Sequence, residues 1–170
     1  MNVQKFDLND LAEFLVRAKK QTYAGDGKEI EPQRPGFKEL EFSEKDWNYR
    51  DSYTGYFCAP GQEIVRFQGS PIWSMSYDGG MHEEYQRDLN FARETFSFLK
   101  DALSNVSADR PFRGSHFTQK DNNKWRYTST VQGDIRRFQG NEMIIFNKKE
   151  VFSQNFIGGL IIPKGGIEVK

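Results

Sequence analysis

Apolar positions recur with helical spacing near the start of the chain. Leu8, Leu11, Leu15 and Ala18 fall on one face of a helix predicted over residues 7–20. Asp7 stands where an N-cap belongs, and Phe6 before it can pack on Leu11 as a hydrophobic staple. Lys19 and Lys20 suit the negative end of the helix dipole. Residues 21–36, QTYAGDGKEIEPQRPG, are polar and rich in Gly and Pro. They predict a long loop, a feature that hints at function. From residue 37 to 81 the pattern changes to short aromatic and β-branched runs divided by turn signals. Residues 63–67 and 72–77 are the clearest strands. In the second, Trp73, Met75 and Tyr77 share one face because successive side chains alternate. A second helix is predicted over 83–104, where Tyr85, Leu89, Ala92, Phe96, Leu99 and Leu103 recur at steps of four and three. That stripe reads as a core face. Strand text returns over 115–118, 125–131, 134–138, 142–146 and 151–162, and the tail from Pro163 is expected to fray.

The strand-rich stretch 47–81 has a second copy at 125–160. Trp47, Tyr49 and Gly55 recur 78 residues later as Trp125, Tyr127 and Gly133. Gly61, Glu63 and Phe67 recur 79 residues later as Gly140, Glu142 and Phe146, and Gly79-Gly80 as Gly158-Gly159. Apolar pairs such as Val65 with Ile144 and Tyr77 with Phe156 fill the gaps. Upstream, Phe14-Leu15 and Ala18 match Phe98-Leu99 and Ala102 at an offset of 84. The expected fold is therefore α+β, with two pseudo-symmetric repeats, each one helix followed by about four antiparallel strands. Repeat 1 covers about 6–82 and repeat 2 about 83–162 of a single domain over 1–170, with a tail at 163–170. Gly61 and Gly140 read as hairpin-turn residues, and the two Gly-Gly pairs as tight turns or close backbone approaches. Glu63 and Glu142 open the same strand in both repeats. They either bond the turn backbone or form a symmetric pair of carboxylates across a central cleft.

Composition narrows the classes. Hydrophobic content is only 36%, but aromatics reach 15%, so Phe, Tyr and Trp must supply much of the core. With 24 acids and 24 bases the formal net charge is zero, which argues against a dedicated nucleic-acid binder. A saddle of two matched sheets could bind nucleic acid, but the charge balance opposes it. The single cysteine, Cys58, rules out an intrachain disulfide and any multi-Cys metal site, and its apolar surroundings predict a buried core residue. No apolar run approaches a membrane span, and the N-terminus lacks a signal-peptide core, so a soluble, cytoplasmic protein is expected.

Candidate chemistry is sparse. His82, followed by Glu83 and Glu84 with Asp78 nearby, could suggest a metal, but acids at a helix start suit the dipole and no metal site is expected. There is no nucleophile elbow and no phosphate loop, so no catalytic residue and no cofactor is assigned. The most site-like segment is 49–53. Its copy reads YTSTV, so Arg50, Asp51 and Tyr53 have no match. Positions that hold a fold tend to match in a duplication, while site positions diverge. Arg50 and Asp51 also fit a surface ion pair. Arg34 and Arg113 sit in similar polar insertions beside strands.

The runs RPG, YRDSYTG, GQEIV, IWSMSY, RPFRG, QGDIRRFQGNEMI and FIGGLI together resemble a bacterial family of unknown function, DUF5680, over nearly the whole chain. The resemblance implies members that stand alone or follow a helix-turn-helix segment in regulators. This chain carries no such segment, so a DNA-binding role does not carry over.

The reading that these observations favour is a small-molecule-binding or regulatory sensor module with a cleft between the repeats. Tyr49, Arg50, Asp51, Tyr53, Trp73, Tyr77 and Arg113 would line the cleft. A protein-interaction module, such as an inhibitor, antitoxin or immunity protein, also suits neutral charge and many aromatics. A hydrolytic or transfer enzyme would lack a recognisable motif.

Overall fold

Asp7 starts the first helix as its sequence position predicts. Its side chain accepts from the backbone N–H of Asn9 at 2.7 Å and that of Asp10, and α1 runs Leu8–Gln21. The computed structural model describes residues 4–170. The strands are β1 (Gln4–Phe6), β2 (Glu29–Ile30), β3 (Lys38–Glu44), β4 (Trp47–Tyr53), β5 (Gly61–Phe67), β6 (Ser70–Met81), β7 (Phe117–Lys120), β8 (Trp125–Asp134), β9 (Arg137–Phe146), β10 (Lys149–Leu160) and β11 (Ile167–Val169). The second helix, α2, is Leu89–Leu103. The class is α+β. Nine strands form one antiparallel sheet in the order β2-β3-β4-β5-β6-β10-β9-β8-β7.

Strands β6 and β10 adjoin near the centre of that order, from Met81 opposite Phe152 to Trp73 opposite Leu160. Both helices lie on the same face of the sheet. Beneath α1, Leu11, Phe14 and Leu15 meet Tyr49, Val65, Trp73 and Met75. Beneath α2, Phe98, Leu99 and Leu103 meet Trp125, Tyr127, Ile144 and Phe152. Trp47 packs on Phe67 with ring centroids 4.6 Å apart, and Trp125 on Phe146 at 4.4 Å. The opposite face of the sheet carries Ser76, Asp78, Gln132, Gln139 and Asn155, all exposed. Polar alternation along the strands produces this wet face.

Several elements differ from the sequence expectation. Helix α2 begins six residues later than residue 83, after a 3-10 turn at Glu83–Tyr85. Asp88 decides the start, because its side chain accepts from the Phe91 N–H at 2.9 Å. Tyr85 is thus off the helix and packs on Phe91 instead. The stretch 134–138 is split between β8 and β9, because Asp134 accepts from the Arg136 N–H at 2.8 Å and closes a turn there. The loop 21–36 contains a 3-10 turn at Tyr23–Gly25 and the short strand β2.

Cys58 is exposed, not buried. The chain crosses Gly79-Gly80 here, with Ala59 N–H to Gly79 O at 3.0 Å and Met81 N–H to Phe57 O at 2.7 Å. At this crossing Phe57 and Ala59 are partly buried while Cys58 between them is exposed, as alternation at the bridge dictates. A Cβ on Gly80 would lie 2.0 Å from the Phe57 carbonyl oxygen, so this crossing requires glycine. Gly61 and Gly140 are strand residues rather than turn residues. The Tyr77 ring covers Gly61 and the Phe156 ring covers Gly140, leaving no room for a Cβ.

The tail is not frayed. Strand β11 pairs in parallel with β1, and the Leu8 N–H reaches the Lys170 carbonyl at 3.3 Å. Ile167 and Val169 pack against the core under α1, which accounts for the order of this segment. No helix among the described residues is long and apolar enough to cross a membrane.

Candidate functional site

Strand alternation brings polar groups into the middle of the helix-covered face. Asp51 on β4 lies directly opposite Glu63 on β5, and Tyr77 on β6 points to the same side. The Tyr77 hydroxyl donates to Asp51 Oδ1 at 2.7 Å. From above, α1 places Lys19 on Glu63 as a buried ion pair. Between α2 and β7 the chain lowers Arg113 into the centre. Its Nη2 is 2.9 Å and its Nε 3.0 Å from Glu142 Oε1, and its Nη1 is 3.5 Å from Glu63 Oε1. Glu142 on β9 also accepts from Tyr127 Oη at 2.6 Å and from Gln154 Nε2 at 3.1 Å. The Arg113 guanidinium lies over the Tyr77 ring, 5.1 Å from its centroid.

Arg113 therefore joins carboxylates from both halves of the sheet. Neither reading of Glu63 and Glu142 describes their contacts: the carboxylates bond buried side chains, not turn backbone, and they meet Lys19 and Arg113 rather than an open cleft. Asp51, Glu63 and Glu142 are 3%, 1% and 0% exposed, and Lys19 and Arg113 are 7% and 8% exposed. Three carboxyl groups thus face two cations. Burial, and then the Glu63 charge, push the Asp51 carboxyl up to about 7. Burial pulls the Lys19 ammonium below its ordinary value against the pull of Glu63. Burial also opposes the charge on Arg113, yet Glu142 and Glu63 hold it well above its usual range.

Over this cluster opens a cavity of about 380 Å³. Tyr23 and Tyr53 line it from the α1 half, and Phe96 and Phe152 from the α2 half. Asp51, Tyr77, Arg113 and Gln154 face it, and Lys38, Arg93 and Lys100 also line it. Lys38 pairs with Glu29 at 3.1 Å, and Lys100 pairs with Asp26. Arg93 is exposed and makes no ion pair among the described residues. A void of about 20 Å³ reaches Lys19, Tyr49, Glu63 and Arg113, room for one water molecule.

Of the seven residues singled out in the sequence, Asp51, Tyr53, Tyr77 and Arg113 line the cavity. Tyr49 borders only the small void and is buried. Trp73 lies under α1, stacked on Phe138, with its indole N–H donated to the Ile135 carbonyl at 3.1 Å. Arg50 points to the other face of the sheet, since it neighbours Asp51 on one strand. There it pairs with Glu39 at 3.2 Å and Glu41 at 2.8 Å. Arg34 bonds Gln62 at 3.0 Å, and His82 meets Glu150 at 3.0 Å and Ser153 at 3.3 Å.

Sequence reasoning missed Lys19, Phe96, Phe152 and Gln154 as site residues. Lys19 carried a signal: it lies four residues past Leu15 on the apolar stripe, where a lysine must find a buried partner. Phe96 and Phe152 carried none beyond being apolar, because a cavity wall and a core wall use the same residue types.

No curated protein and no solved structure matches the chain. The domain of unknown function DUF5680 matches residues 51–161, a span from Asp51 on β4 to the end of β10 that includes Glu63, Tyr77, Arg113 and Glu142. With nearly two thirds of its length matched, the chain belongs to the DUF5680 family.

Proposed function

We propose that the protein is a small-molecule-binding module, of a regulatory or sensory kind, acting in the cytoplasm. The observation that carries this reading is the 380 Å³ cavity, with aromatic walls and Asp51 and Arg113 facing it. Ligand sites combine an apolar lining with a few fixed polar groups in this way. A thermal-shift screen across metabolite classes tests it. A ligand that raises the melting temperature of the native protein, but not that of Ser97→Trp, is expected. Ser97 is an exposed cavity residue of α2, distinct from the charged floor, and a bulky indole there is expected to crowd the cavity. A full screen with no shift, or equal shifts in both proteins, would sink the reading.

The same reading takes the two halves as copies of one unit, with the cavity between them. Support comes from equivalent contacts. Trp47 on Phe67 has its counterpart in Trp125 on Phe146, and Tyr77 over Gly61 in Phe156 over Gly140. Asp51 opposite Glu63 corresponds to Ser129 opposite Glu142, so the third carboxyl group exists in one half alone. Gly61→Ala and Gly140→Ala should each lower stability by about 1–3 kcal/mol through overpacking against a ring. Urea unfolding measures both. A neutral result at one site and a large loss at the other would count against equivalence.

A further inference from the structure

Resting on the small-molecule reading, we infer that the ligand is an organic amine, whose protonated nitrogen docks at Asp51 while its apolar body lies along the aromatic walls. The floor supplies acceptors and lacks a cation to match them. Lys19 is committed to Glu63, and Arg113 to Glu142 and Glu63. Among the described residues, that leaves Asp51 as the carboxyl group of the cluster without an ion-pair partner, held by the Tyr77 hydroxyl. Gln154 donates one amide hydrogen to Glu142, and its carbonyl oxygen, which accepts no hydrogen bond among the described residues, is a further acceptor in the lining. A carboxylate and an amide carbonyl facing one cavity call for a donor-rich head, and an ammonium offers three donors and no acceptor.

Charge selects the same head. With Asp51 ionised, the buried cluster of Lys19, Arg113, Glu63, Glu142 and Asp51 carries one excess negative charge. A bound monocation balances it, whereas a carboxylate would add a second negative charge in a poorly solvated place. The aromatic rings add favourable cation–π contact to a desolvated ammonium. Arg93, exposed and without an ion pair among the described residues, is the competing feature, since it would favour an anionic group near the solvent-exposed part of the cavity.

Isothermal titration with three matched probes separates these cases: phenethylamine, its neutral isostere propylbenzene, and 3-phenylpropionate. The amine is expected to bind at least tenfold more tightly than the neutral probe at pH 8. Asp51→Asn should abolish that preference, and Arg93→Ala should leave it in place. Equal binding of amine and neutral probe overturns this inference while leaving the cavity as a binding site. Tightest binding by the acid, lost in Arg93→Ala, overturns it as well. If none of the three binds, nor any compound in the wider screen, the small-molecule reading falls with it.

Discussion

Arg113→Ala should cost about 3–5 kcal/mol of stability, the range for removing one partner of a buried ion pair. The reason is what remains behind. Glu63 keeps Lys19, but Glu142 keeps, among the described residues, the neutral donors Tyr127 and Gln154 in a site with no exposure. For a chain of this size each kcal/mol corresponds to roughly 2–4 °C, so the melting temperature should fall by about 10 °C. Arg113→Lys should recover only part of the loss. A lysine lacks the fork that sends Nε and Nη2 to Glu142 and Nη1 toward Glu63. The double change Arg113→Met with Glu142→Met should be milder than Arg113→Ala, because it removes Glu142 together with its cation and adds no newly unmatched carboxylate. Calorimetric melts of the three variants provide the measurement. A shift under about 2 °C for Arg113→Ala would show that the guanidinium does not hold the halves together.

Asp51→Asn should stabilise the protein at neutral and alkaline pH, by on the order of 2–4 kcal/mol. Asp51 titrates near about 7 in the folded protein, against about 3.9 for an unperturbed aspartate. A raised folded pKa means that the fold holds this proton more tightly than the unfolded chain does. The carboxyl therefore costs nothing below about pH 4, costs more with each unit up to about pH 7, and then levels off. Burial comes first as the cause, and Glu63 on β5 adds repulsion, while Tyr77 on β6, Arg113 and Lys19 on α1 act in the opposite sense. The asparagine carbonyl can still accept from the Tyr77 hydroxyl, so the geometry survives the change. Denaturant unfolding at each pH from 5 to 8 should show the gap between variant and parent widening as pH rises. Parallel curves for the two proteins would remove Asp51 as the titrating group.

How far the site was legible depends on the range of each signal. The segment 49–53 stood out because the aligned segment 127–131 differs from it, and Asp51 and Tyr53 do line the cavity. Arg50 stood out equally and faces away, because adjacent strand residues point to opposite sides. Divergence names a segment and leaves the face to the strand. Cys58 fell on the wrong side for the same reason: Phe57 beside it took the inward position. Glu63 and Glu142 were legible as a pair, and Arg113 as a cleft residue in an insertion beside a strand, but not as the group that joins the two carboxylates.

Local order was settled along the chain itself. The 3.6-residue stripes, the Asp7 and Asp88 caps and the two-residue alternation fix α1, α2 and most strands through interactions within a few residues. Tertiary structure decided what those elements meet. Pairing β6 with β10 joined the halves into one sheet, and the closing turn between β8 and β9 set where the long strands bend back. Lys19 to Glu63 spans 44 residues and Arg113 to Glu142 spans 29, and neither pairing follows from periodicity. Burial then gave these charges their energetic weight. A carboxyl that would be ordinary in water keeps its proton, between β5, β6 and Arg113, up to about pH 7.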